Sequence, residues 1–244
     1  MPSTDSYDFE TTRQQQSHLP DPVLEDPDFL NVLEKSRPFT LTSNERMYAL
    51  HRAVRYVIDA KIPGDFVECG VWRGGSCMNI ALSLMQAGAV DRNIHLFDTF
   101  EGMTPPSSED VDLLGRSAET LLDSPQESEP TKCFASLQEV RRNLASTGYP
   151  ADRMRFVLGD VEVTIPDQAP ERIALLRLDT DWYASTKHEL KHLYPRLSRG
   201  GILIVDDYGH WRGARKATAE FFATLRPRPF LNRIDYSGCL AVKP

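Results

Sequence analysis

From residue 47 onward, Met47, Leu50, Val54, Val57 and Ile58 recur at steps of three and four, which predicts an amphipathic helix. Ser43 stands where an N-cap is needed, and Pro63-Gly64 ends the segment. The period then changes. Phe66–Cys69 and Ile94–Asp98 are short strand-like runs, with a helical stretch from Ser76 to Gln86 between them. Met154–Leu158, Ile173–Leu178 and Ile202–Val205 are continuous rather than alternating runs, as expected of strands buried on both faces. Further helices are predicted at 134–146, 184–197 and 214–225, and Phe230–Tyr236 with Cys239–Val242 reads as a hairpin turning at Ser237-Gly238. This order predicts an α/β fold: a doubly wound, mostly parallel seven-stranded Rossmann-like sheet, helices on both faces and a C-terminal β-hairpin.

Two segments stand outside that alternation. The first 38 residues are polar and interrupted by Pro20, Pro22, Pro27 and Pro38; they hold too few apolar residues to fold alone and read as a flexible N-terminal arm. Residues 39–244 form the single remaining domain. Within it, 99–130 is rich in acid, Ser and Pro, with a weak helical stretch near Leu113–Leu122. An insertion of that length after a strand is expected to be a lid.

The chain has 244 residues, 41% hydrophobic and 26% charged, enough for a core without disulfides or structural zinc. The balance of 28 Lys+Arg against 35 Asp+Glu, without basic runs interleaved with aromatics, argues against nucleic acid. No apolar run approaches the ~20 residues that span a bilayer, so no membrane is expected. Cys69, Cys77, Cys133 and Cys239 make neither a CxxC nor a zinc spacing. They read as reduced thiols, and the expected location is cytoplasmic. An arm of such composition can reach a neighbouring subunit, which leaves a homo-oligomer open.

Ligands of open α/β sheets bind beyond the carboxyl ends of the strands. The first strand runs into Glu68-Cys69-Gly70-Val71-Trp72-Arg73-Gly74-Gly75. A dinucleotide fingerprint needs glycine where Trp72 stands, so this turn is not spaced for a pyrophosphate. Asp98 ends the second strand, placed to accept from ribose hydroxyls, and Gly159-Asp160 ends the third. Together these strand ends suggest an adenosine-bearing cofactor without a diphosphate, S-adenosylmethionine.

The fourth strand ends at Asp179-Thr180-Asp181 and the fifth at Asp206-Asp207. If the chain stays extended, Asp179 and Asp181 point the same way; Asp206 and Asp207 share a site only if the backbone leaves the sheet. Converging carboxylates repel unless a cation balances them, and an all-oxygen set favours Mg²⁺, Ca²⁺ or Mn²⁺. Asp179, Asp206 and Asp207 are the expected ligands and Asp181 the general base. His210 competes for the latter role because its ordinary pKa lies near neutrality.

The strings ECGVWRGGS, FDTFEGM, LRLDTDWYASTKHELKHLYPRLSRGGILIVDDYGHW and TSNERMYAL resemble the macrocin O-methyltransferase family, from about Thr40 to Phe222. That resemblance implies an S-adenosylmethionine-dependent, Mg²⁺-dependent methyltransferase acting on a sugar hydroxyl of a natural product. It implies cofactor contacts among Glu68, Cys69, Gly70, Val71, Trp72, Gly74, Gly75, Ser76, Asp98, Thr99, Gly159, Asp160 and Asp179. It also implies Asp179, Asp206 and Asp207 as metal ligands and Asp181 as base. A catechol-type phenol acceptor and a non-catalytic adenosine-binding scaffold are the alternatives.

Overall fold

The computed structural model describes residues 22–123 and 133–244. Seven strands, β1 (Asp65–Cys69), β2 (Ile94–Asp98), β3 (Met154–Leu158), β4 (Ile173–Leu178), β5 (Leu197–Val205), β6 (Leu231–Arg233) and β7 (Cys239–Val242), form one sheet in the order β3-β2-β1-β4-β5-β7-β6. The first five are parallel; β7 pairs antiparallel with β5 and with β6. The order reverses between β1 and β4, and there the carboxyl ends of the strands leave a crevice.

Helices flank both faces: α1 (Pro27–Ser36), α2 (Asn44–Asp59), α3 (Gly75–Gln86), α4 (Ala118–Asp123), α5 (Leu137–Ala145), α6 (Val161–Thr164), α7 (Tyr183–Leu193) and α8 (Arg212–Thr224). Phe66 of β1 packs with Val54, Ile80 and Leu144 on one side, and Val67 packs with Leu176, Leu190 and Phe222 on the other. Successive residues of one strand thus feed two cores, which is why the central strands β4 and β5 are largely apolar where they pair; β3 departs from the expected burial on both faces because it lies at the sheet edge, with Arg155 and Leu158 exposed. No helix among the described residues is long and apolar enough to cross a membrane.

The N-terminal segment departs from the flexible arm expected over residues 1–38. Residues 1–21 lie outside the described part, but Pro27–Ser36 is a helix capped by Asp26, whose carboxylate accepts from the Asp28 and Phe29 amides at 3.1 and 3.2 Å. Phe29, Val32 and Leu33 lie at helical spacing and are buried. Phe29 meets Tyr48 edge to face at 5.1 Å and clusters with Met47 of α2. Three apolar residues cannot make a core alone, yet they suffice to dock this helix of 10 residues on an existing one.

Three boundaries also move. Ser136, not Phe134, opens α5, its hydroxyl accepting from the Glu139 amide at 3.3 Å while Phe134 lies 61% exposed. A 3-10 turn at Tyr194–Arg196 ends α7 before Leu197, where β5 already begins. In the insertion, the helix is only Ala118–Asp123, and 124–130 lies outside the described residues.

If α1 is integral to the fold, Phe29→Ala should cost about 3–5 kcal/mol in urea unfolding. A loss below about 1 kcal/mol would show that the helix contributes little.

Candidate active site

Each wall of the crevice traces to a strand end. At the close of β1, Gly70 adopts φ +81°, and a Cβ there would lie 2.0 Å from the Asp179 carbonyl oxygen. Glycine is therefore required for the β1 and β4 ends to touch, besides any ligand it admits. The turn is held from β2: Asp98 accepts from the Val71 and Trp72 amides at 2.6 and 3.1 Å through one oxygen, and from the Phe100 amide at 2.7 Å through the other. Asp98 thus shapes the glycine turn as well as lining the cleft. Asp160 caps α6, accepting from the Glu162 amide at 2.8 Å. Gly70, Val71, Trp72, Gly75, Ser76, Asp98, Thr99, Gly159 and Asp160 all line one cleft with Asp179, Asp181, Asp206, Asp207 and His210.

Glu68, Cys69 and Gly74, expected at the cofactor, do not line it. Glu68 is buried, its carboxylate paired with Arg177 and accepting from the Cys77 thiol at 2.6 Å. Cys69 is fully buried in the opposite core. Gly74 is the left-handed N-cap of α3, where a Cβ would lie 2.5 Å from Leu144 Cδ2. The side chains of Glu68 and Cys69 and the backbone of Gly74 hold the turn from behind the cleft wall.

Arg177, which interrupts the apolar run of β4, has no role assigned from the sequence. It is 2% exposed, directly across the ladder from Glu68, and donates to Asp179 Oδ2 at 2.7 Å, Asp206 Oδ1 at 2.6 Å and Thr42 Oγ1 at 3.2 Å. Arg46 of α2 pairs with the other oxygen of Asp206 and, at 2.9 Å, with Asp235. Burial alone would raise Asp206, but the two guanidinium groups outweigh it and hold the carboxyl below its ordinary range. Asp207 lacks such a partner: burial, and next the charge of Asp181, push it up.

Asp206 and Asp207 fall in a turn directly after β5, so the backbone leaves the sheet as the sequence required. Carboxylate oxygens of Asp179, Asp206 and Asp207 lie within 4.8 Å of one another. Three hard oxygens at that spacing, short of positive charge at Asp207, suit Mg²⁺ or a similar cation.

The extended geometry expected for Asp179-Thr180-Asp181 is not found. Asp181 has φ +66°, and its amide points to Asp207 Oδ2 at 3.3 Å. The chain turns there because Thr180 is anchored inward, its hydroxyl donating to buried Glu189 at 3.0 Å. Burial is the main cause that lifts Asp181 to about 7, with Asp179 adding to it. His210 faces the same cleft, edge-on to Trp211 at 5.0 Å, and desolvation lowers its pKa.

The described part of the insertion, 99–123, closes over this end of the sheet. Trp182 Nε1 donates to the Thr104 carbonyl at 2.9 Å, and buried Asp110 accepts from the Tyr183 amide at 2.7 Å, capping α7 from 73 residues away. Only glycine at 213 admits that approach, since a Cβ would lie 2.2 Å from Asp110 Oδ1. Gly102, Met103 and Thr104 thereby become cleft wall.

A family model described as macrocin-O-methyltransferase matches residues 34–242. Over 170 residues the chain is 37% identical to mycinamicin III 3''-O-methyltransferase of Micromonospora griseorubida, covering 69% of this chain and 65% of that protein, slightly under two thirds of its length. It is 36% identical over 183 residues to 8-demethyl-8-(2,3-dimethoxy-alpha-L-rhamnosyl)-tetracenomycin-C 4'-O-methyltransferase of Streptomyces olivaceus, covering 75% of this chain and 67% of that one. The solved O-methyltransferase NovP superposes with a TM-score of 0.74 at 30% identity, over 84% of this chain and 82% of its own.

A carboxyl held at about 7 when folded and near 3.8 when unfolded destabilises the fold increasingly as pH rises between those values. In chelator, Asp181→Asn should therefore be more stable than the parent at pH 8, by about 1–3 kcal/mol, and the gain should shrink toward pH 4. A variant less stable at pH 8 would contradict the strain assigned to Asp181.

Proposed function

Because the chain belongs to the macrocin O-methyltransferase family, we propose that it transfers the sulfonium methyl of S-adenosylmethionine to a sugar hydroxyl of a natural product, with Mg²⁺ as the required metal. One observation carries this reading: the glycine turn, the β2 and β3 strand ends and the carboxylates of β4 and β5 face one cleft. The similarity to relatives named for 3''-O and 4'-O methylation, one of them on a rhamnosyl compound, supports the acceptor class.

Gly70, Val71, Trp72, Gly75, Ser76, Asp98, Thr99, Gly159 and Asp160 would hold the methyl donor. Asp179, Asp206 and Asp207 would hold Mg²⁺, which when bound supplies positive charge that makes an adjacent hydroxyl more acidic. Asp181 takes the hydroxyl proton, and the oxygen bonds to the methyl carbon as the carbon–sulfur bond breaks, leaving S-adenosylhomocysteine. Because the donor methyl is already activated, the protein's main contribution is to align donor and acceptor. Wall residues 102–104 and Trp211 exclude water around them.

His210 gives a second reading of the base: desolvation keeps its imidazole neutral, and it shares the cleft. Asp181→Asn should bind S-adenosylmethionine within about twofold of the parent and lose about 10²–10⁴ in kcat, measured by S-adenosylhomocysteine release over a panel of glycosides and catechols. Undiminished turnover would transfer the role to His210, and turnover of catechols alone would replace the sugar acceptor by a phenol.

A further inference from the structure

We propose that Arg177 is the positioning residue of the metal site, its rigid guanidinium presetting the separation of the Asp179 and Asp206 carboxylates. This rests on the Mg²⁺ reading above. The two aspartates end different strands, and no covalent constraint relates their side chains. Arg177 does so with two nitrogens of one planar group: Nη1 donates to Asp179 Oδ2 at 2.7 Å, and Nη2 to Asp206 Oδ1 at 2.6 Å. The guanidinium is itself fixed. Nη1 also pairs with Glu68, its cross-strand neighbour, and Nη2 donates to Thr42 Oγ1 at 3.2 Å. The contacts to Glu68, Thr42 and Asp206 are buried, that to Asp179 is part-buried, and the Arg177 side chain is itself 2% exposed, so the fork has little freedom to reorient.

A lysine offers one compact ammonium and cannot span two carboxylates as a planar fork does. The competing account makes Arg177 a placeholder: a cation that occupies the carboxylates until a metal arrives and then withdraws. The two accounts predict opposite signs. A positioning guanidinium raises Mg²⁺ affinity, whereas a placeholder lowers it.

The test is calorimetric titration of Mg²⁺ into the full chain saturated with S-adenosylhomocysteine, for the parent and Arg177→Lys, with S-adenosylhomocysteine affinity measured separately. The expected result is a Mg²⁺ Kd at least tenfold weaker in the variant, with S-adenosylhomocysteine Kd within twofold; a general loss of structure would weaken both. Equal or tighter Mg²⁺ binding by the variant overturns the proposal. A parent that binds S-adenosylhomocysteine but no Mg²⁺ removes the metal reading itself, and the proposal with it.

Should Arg177→Lys fail to fold, the parent alone decides. Its Arg177 guanidinium proton resonances are followed by NMR as Mg²⁺ is added. Resonances that stay protected from exchange support positioning, and resonances released by the metal show a placeholder.

Discussion

A guanidinium in the middle of a parallel sheet sets the conditions that the rest of this molecule meets. Arg177 lies in β4, between β1 and β5, where water does not reach it. A buried cation costs several kcal/mol unless it is paired and hydrogen-bonded. Its partners come from four segments: Glu68 on β1, Thr42 ahead of α2, Asp179 after β4 and Asp206 after β5. Satisfying one charge therefore draws the glycine turn, the N-terminal wall and the carboxylates to a single place. Fold and site share this interaction, and neither is complete without it.

The same economy governs what closes over the cleft. Arg46 ties α2 both to Asp206 and to Asp235 ahead of the hairpin strand β7, and Ser43, the cap of α2, donates to Asp235 at 2.7 Å. On the other side Asp110 supplies the cap that Trp182 cannot give α7. Loops that would otherwise drift are fixed by satisfying helix ends and buried charges. The walls beside the carboxylates are thus positioned by the polar groups of the scaffold.

Much of this is legible in the sequence. The central parallel strands show as largely apolar runs because neighbours in the chain, such as Phe66 and Val67, serve different cores. Strand ends identify Gly70, Asp98, Asp160 and the four aspartates, all of which line the cleft. What escapes is long-range. Gly70 is visible as a glycine, but its reason, contact with the Asp179 carbonyl, depends on pairing across the sheet. Glu68 gives no local sign of its partner Arg177, which lies 109 residues away. Asp110 carries no local signal at all. Arg177 could have been noticed, since a charge inside a strand buried on both faces demands partners. The α1 helix was hidden because Phe29, Val32 and Leu33 are too few to stand out among prolines and polar residues.

The most direct test of this account is a thermal-shift comparison of S-adenosylmethionine, S-adenosylhomocysteine and NAD, each with Mg²⁺ and with chelator. A ligand at about 100 times its Kd adds about 2.7 kcal/mol, or about 5–10 °C for a chain of this size. The account predicts that shift with the two adenosyl compounds and none with NAD. A shift with NAD, or with none of the three, would contradict it, and the roles assigned around the glycine turn would fall together.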